Sequence, residues 1–302
     1  MAIELPEPSA TVDLAMSDGA IIRLRRHGNP AGPRLALSHG NGLAIDGYYP
    51  FWSLLRDHYD LILFDFRNHG QNPRHTFENH NWNQFVRDLE QIYSASQERF
   101  GARRTTGVFH SLAAIAATMQ AQRFGPRWDP LVLFDPPYYP PESHRLRSVQ
   151  FMNEEEIADR AEKRTPGYAD PMELAASFAR RLTRWKPEAY ELMARATLRW
   201  DDRANQWLLA CPREFEAKVF RTNRDTTVWT GLAQMPVAVK LICGDPDVAD
   251  SMPPARLGQA VAAESGVAYE AIAETTHFLQ IEKPHECIHA METFLRAQGV
   301  VG

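Results

Sequence analysis

The chain has 302 residues, 44% of them hydrophobic and 24% charged. That suits one large α/β domain or a core with a substantial insert, and it excludes a disulfide-held miniprotein or a disordered chain. Lys and Arg number 33 against 38 Asp and Glu, a formal charge of -5, so the global balance gives no reason to expect a nucleic acid or other polyanion as partner.

The first residues carry neither a basic nor an apolar leader segment, and no apolar run approaches the roughly 20 residues of a membrane helix. Cys211, Cys243 and Cys287 form neither a zinc pattern nor an even disulfide framework. The expectation is a cytoplasmic protein without a membrane span, metal or cofactor, acting on a small-molecule substrate. The sequence leaves a homodimer open.

Val12 to Met16 and Ile21 to Arg25 read as strands joined by the polar turn Ser17-Asp18-Gly19. Arg34 to Ser38 is a short apolar run ending at His39-Gly40-Asn41-Gly42, and Asp60 to Asp65 is another, ending at Arg67-Asn68-His69-Gly70. Thr105 to Phe109 and Leu131 to Phe134 follow. These runs are continuous rather than alternating, as strands covered on both faces should be. Between them, Trp82, Phe85, Leu89 and Ile92 recur at helical spacing, and the Ala-rich stretch Leu112 to Gln122 follows a strand directly. The pattern predicts a mostly parallel sheet with right-handed crossovers.

The texture changes after the Pro-rich segment Asp135 to Pro141. From about 142 to 235 no convincing strand is legible. Leu174, Phe178, Leu182 and Trp185 recur at helical spacing among further aromatics, so a mostly helical insert is expected, its aromatics forming its own core or lining a cavity. The α/β rhythm resumes with a strand at Val237 to Cys243, a helix at Pro254 to Glu264, a strand at Val267 to Ile272 and a final helix at Pro284 to Arg296. This divides the chain into a first core segment, 1–140, an insert, 141–235, and a second core segment, 236–302.

Several polar residues fall at the carboxyl ends of predicted strands, the edge where open α/β sheets bind ligands. Ser111 stands between a strand and a helix, Asp247 in the loop after the next-to-last strand, and His277 in the loop after the last. A hydroxyl needs a base to become a nucleophile near neutral pH, and the base needs an acid to orient it. Ser111, Asp247 and His277 supply those three types. Asp245 and Asp135 also follow strands and remain alternative acids.

With the His39-Gly40 turn, the Asp65 to Gly70 turn, His110-Ser111-Leu112, Gly244 to Asp247 and Thr276 to Pro284 in this order, the chain resembles the α/β-hydrolase superfamily over about 20 to 298, in particular its capped, serine-dependent members. The resemblance implies an α/β-hydrolase fold with a helical cap. It also implies Ser111 as nucleophile, His277 as base and Asp247 as acid, with the backbone N–H groups of Asn41 and Leu112 as oxyanion hole. Two positions depart from the family pattern. Phe109 and Ala113 flank Ser111 where the elbow usually has glycines, so Phe109 needs a recess in the neighbouring packing or an opened turn. Asn68 replaces a turn glycine, which a left-handed asparagine can do.

His39 is expected to brace the oxyanion loop, and His110 to support the loop while pointing away from Ser111. The Arg180, Arg181, Arg184 and Arg195 segment reads as a solvated helix face or as an attractor for a carboxylate substrate. The implied activity is hydrolysis of an ester, lactone or thioester with a partly apolar group. A C–C bond hydrolase using the same three residues, and a ligand-binding protein on a hydrolase scaffold, are the competing readings.

Overall fold

The computed structural model describes residues 3–301. In chain order the strands are β1 Ala10–Ala15, β2 Ile21–Gly28, β3 Arg34–Ser38, β4 Asp60–Phe64, β5 Thr105–His110 and β6 Leu131–Phe134, then β7 Gly167–Tyr168, β8 Leu198–Asp201 and β9 Gln206–Leu209, and finally β10 Val239–Cys243 and β11 Ala268–Ala271. Eight of them form one sheet in the order β1-β2-β4-β3-β5-β6-β10-β11. Only β2 runs against its neighbours; β4, β3, β5, β6, β10 and β11 are parallel.

The continuous apolar runs are explained by what covers them. Along β4, Ile62 and Phe64 join one core, and Leu61 and Leu63 the other. In β6, Leu131 and Leu133 face the first, and Val132 and Phe134 the second. The first core is closed by the helices Trp82–Phe100, Leu112–Phe124 and Pro253–Ser265, the second by Pro284–Ala297 and the short helix Tyr49–Trp52. The longest helix starts where Asn81 caps it, its side chain accepting the Gln84 N–H at 3.0 Å.

The expected insert lies between β6 and β10. Its longer helices are Arg147–Glu162, Pro171–Ala179, Pro187–Thr197 and Arg213–Thr222. The middle two extend the second core through Leu174, Phe178 and Met193. The outer two close against each other through Ala158, Ala161 and Ala217. The insert also carries a small sheet in the order β7-β9-β8, which the sequence reading did not anticipate. Strands of two to four residues are too short to display a period of two.

Candidate active site

The parallel strands deliver their following loops to one edge. Ser111 sits directly after β5 with φ 53°, a left-handed conformation that turns the chain sharply into the helix starting at Leu112. Its Oγ lies 3.1 Å from His277 Nε2. His277 Nδ1 in turn lies 2.6 Å from Oδ2 of Asp135, which follows β6 and is fully buried. The other Asp135 oxygen accepts the Gly244 N–H at 3.1 Å.

The acid expected at Asp247 is therefore corrected: the carboxylate on His277 belongs to Asp135. Asp247 is exposed. Asp245 Oδ1 accepts the Asp247 N–H at 2.9 Å, and its Oδ2 accepts the Glu274 N–H at 2.8 Å, a local turn that holds Asp247 on the outside and occupies Asp245. Asp135 has the shorter route because β6 lies beside β5 in the sheet.

Asn41 and Leu112, whose backbone N–H groups are the expected oxyanion donors, line the same cavity as Ser111 and His277. Among the described residues, neither the Asn41 nor the Leu112 backbone N–H has a hydrogen-bond partner. The Asn41 side-chain amide is turned away, donating to the Glu216 carbonyl of the insert at 2.9 Å.

Buried neutral groups hold these loops. His39 accepts the Phe66 N–H at 3.1 Å on Nε2 and so donates from Nδ1 to the Gly40 carbonyl at 2.8 Å, the bracing expected of it. Burial lowers its pKa to about 4. His69 accepts the Gly42 N–H at 3.1 Å, with its pKa pushed down to about 3 by burial and then by His39.

His110 does more than point away. Tyr48 Oη accepts the Gly40 N–H at 3.3 Å and donates to His110 Nδ1 at 2.6 Å. That leaves the proton on His110 Nε2, which donates to the His277 carbonyl at 2.9 Å. Burial keeps His110 well below the ordinary imidazole pKa. This relay ties the Gly40 loop to the backbone of His277. Tyr48 stands in no recognisable sequence pattern, and Glu282, within the Thr276 to Pro284 stretch, has a role only the fold reveals: its carboxylate accepts the Thr276 N–H at 2.6 Å and hydroxyl at 2.5 Å.

Both departures from the family pattern are accommodated. The Phe109 ring is fully buried against Trp128 and Phe64, at centroid distances of 5.6 and 6.1 Å. Its recess is Gly107, where a Cβ would come within 2.5 Å of the ring. Asn68 adopts φ 62°, and its amide is held by the His75 N–H at 2.5 Å and by His80 at 3.1 Å.

The cavity above Ser111 has a volume of about 490 Å³ and runs between the strand edge and the insert, within the range of small-ligand sites. Leu43, Trp82, Phe178, Leu182 and Phe220 supply apolar wall. Of the insert's aromatics, Phe178 faces the cavity, whereas Trp185 is buried against Tyr190 and Phe278.

His69, His80 and Cys211 bring one potential ligand atom each within 4.8 Å of one another. Part of their hydrogen-bonding capacity is already used, although His80 Nε2 is buried without a partner. His69 Nε2 holds the Gly42 N–H, the Asn68 amide donates to His80 Nδ1, and burial holds the Cys211 thiol well above its usual pKa. The donor set fits a hydrogen-bonded brace better than a metal site. No helix among the described residues is long and apolar enough to cross a membrane.

A model of the alpha/beta hydrolase family matches residues 35–290. No curated protein matches. Among solved structures, an E-2-(acetamidomethylene)succinate hydrolase superposes with a TM-score of 0.77 at 16% identity, covering 95% of this chain and 100% of its own. A thioesterase domain from the curacin biosynthetic pathway gives 0.73 at 15%, covering 94% and 99%. A hydrolase from Pseudomonas aeruginosa PA01 gives 0.70 at 22%, covering 95% and 98%. At these identities the likeness is one of fold.

Proposed function

The chain belongs to the alpha/beta hydrolase family, and from that premise we propose that it is a serine hydrolase cleaving a carboxylic ester, lactone or thioester through an acyl-enzyme on Ser111. The hydrogen-bonded line Asp135–His277–Ser111 carries this reading. Ser111 Oγ attacks the carbonyl carbon as His277 Nε2 takes its proton, and Asp135 stabilises the imidazolium. The oxyanion accepts from the Asn41 and Leu112 N–H groups, a term worth roughly 3 to 4 kcal/mol per donor in comparable sites. The tetrahedral adduct collapses, the C–O or C–S bond breaks, and His277 returns the proton to the leaving group. Water, deprotonated by His277, then releases the acid.

In this reading 141–235 is the cap over a core of 1–140 and 236–302, and its apolar wall receives the partly apolar portion of the substrate. A bulky Phe109 beside the nucleophile would favour a ligand-binding protein on this scaffold, but Gly107 leaves room for its ring. Three buried free cysteines suit a reducing compartment.

A fluorophosphonate probe should label Ser111 in the intact protein and fail to label Ser111→Ala. An unlabelled intact protein refutes the reading. A panel of p-nitrophenyl esters of increasing acyl length then sizes the pocket.

A further inference from the structure

We propose that the substrate carries a carboxylate remote from the scissile bond, held by the Arg181 guanidinium at the mouth of the cavity. The inference rests on the serine hydrolase reading above for the reacting end of the molecule, and on the ion pairing of the cavity wall for the other end.

Four arginines line the cavity: Arg160, Arg164, Arg181 and Arg184. Arg164 forks onto Glu216 at 2.7 and 2.9 Å. Arg184 forks onto Asp250 at 3.0 and 2.5 Å. Arg160 lies 3.7 Å from Glu156 on its own helix. Arg181 has only the Ser177 carbonyl, 3.4 Å from its Nε, and among the described residues no carboxylate pairs with it.

The cavity's other acids are engaged. Glu154 accepts from Gln150 at 2.8 Å and Asn223 at 2.5 Å and pairs with Arg224, and Glu282 accepts from Thr276. Arg181 is exposed, but burial and then the charges of Arg164 and Arg160 lower its pKa. It is an under-compensated cation with both terminal NH₂ groups open. A planar carboxylate matches that fork and adds charge that the neighbouring arginines welcome. The apolar wall of Leu43, Leu182 and Phe220 suits a short methylene spacer between the ester and the acid. A half-ester of a dicarboxylic acid has this composition.

The test compares mono-4-nitrophenyl esters of succinic, glutaric and adipic acid with their methyl-capped neutral counterparts. Native protein should favour the best acid over its neutral partner by about three- to tenfold in kcat/KM, mostly through KM. Arg181→Gln should collapse that ratio and Arg181→Lys should retain part of it. Arg180→Gln, exposed and outside the cavity, should keep it. A native preference for the neutral esters, a ratio unchanged in Arg181→Gln, or an equal loss in Arg180→Gln overturns the inference.

Binding of the free dicarboxylates to Ser111→Ala, followed by ligand-detected NMR, separates the two readings. Binding that Arg181→Gln abolishes supports the carboxylate site even if no ester turns over. Ester turnover with no dicarboxylate bound leaves the hydrolase reading standing and refutes this one.

Discussion

The strand edge that carries Ser111 and the insert that covers it differ in balance: beside fully buried ion pairs such as Arg67 with Asp88, the edge relies on neutral histidines, whereas the insert relies on ion pairs that reach solvent. Around the edge, His39, His69, His80 and His110 are all buried, and burial lowers each pKa, so these rings meet their partners as neutral donors and acceptors. In the insert the corresponding contacts are ionic: Arg164 with Glu216, Arg224 with Glu154 and Glu155, Arg221 with Asp159 and Glu162. Neutral bonds in a dry setting fix geometry independently of salt, as a site that positions a nucleophile requires. Ion pairs that reach solvent are screened and individually weak. Under the proposed hydrolase reading, Ser111, His277 and Asp135 sit beside the neutral bonds, and Arg181 sits among the ion pairs.

The sharpest break of that contrast is at the acid. Asp135→Asn should lower kcat by roughly 10⁴-fold, because an amide cannot hold the imidazole tautomer or stabilise its cation. Asp247→Asn should stay within about twofold, since Asp247 is exposed and meets none of the reacting groups. Single-turnover kinetics with an activated ester measure both, and a comparable loss in Asp247→Asn would return the role to that residue.

The difference between those two aspartates also shows what the sequence can reveal. Ser111 and His277 were legible because each follows a predicted strand, Ser111 directly after Thr105–His110 and His277 in the loop after Ala268–Ala271, in the order the family resemblance implies. Asp135 closes such a run too, but the choice between it and Asp247 depends on sheet order and on the Asp245 turn, neither of which is written locally. Of the cap's helices, Pro171–Ala179 was legible from Leu174 and Phe178, but Leu182 and Trp185, at the same spacing, fall in the turn after its end; the two- to four-residue strands were not legible. The arginines of the cap looked alike in sequence. Only folding sorts them, since the partner of Arg184 is 66 residues away and that of Arg164 is 52.

A smaller effect is expected from the relay. Tyr48→Phe removes the hydroxyl between the Gly40 N–H and His110, leaving two buried groups unpaired. The loss should cost about 1 to 3 kcal/mol of stability and about 10- to 100-fold in kcat with little change in KM, because the oxyanion loop and the His277 backbone lose their common tether. A native kcat in this variant would show that the tether is structural only.

The smallest effect on turnover tests the ionic side of the comparison. Glu154 is buried between two cap helices, and burial raises its pKa to about 8 against the opposing pull of Asn223 and Arg224. A carboxyl whose pKa is higher folded than unfolded binds a proton more readily when folded. Its contribution is therefore complete below about pH 4.5, is lost as pH rises, and is gone above about pH 8. The slope is at most about 1.4 kcal/mol per pH unit. The buried histidines act oppositely: their depressed pKa values cost stability as pH falls below about 6.5. Glu154→Gln removes only the first effect and leaves Arg224 its second partner, Glu155. The difference in unfolding free energy between Glu154→Gln and native protein cancels the histidine terms. Urea titrations at pH 5, 6, 7 and 8 should show that difference moving steadily in favour of the variant, whereas a constant difference would mean that Glu154 is already ionised across this range and that the cap is held by its charge.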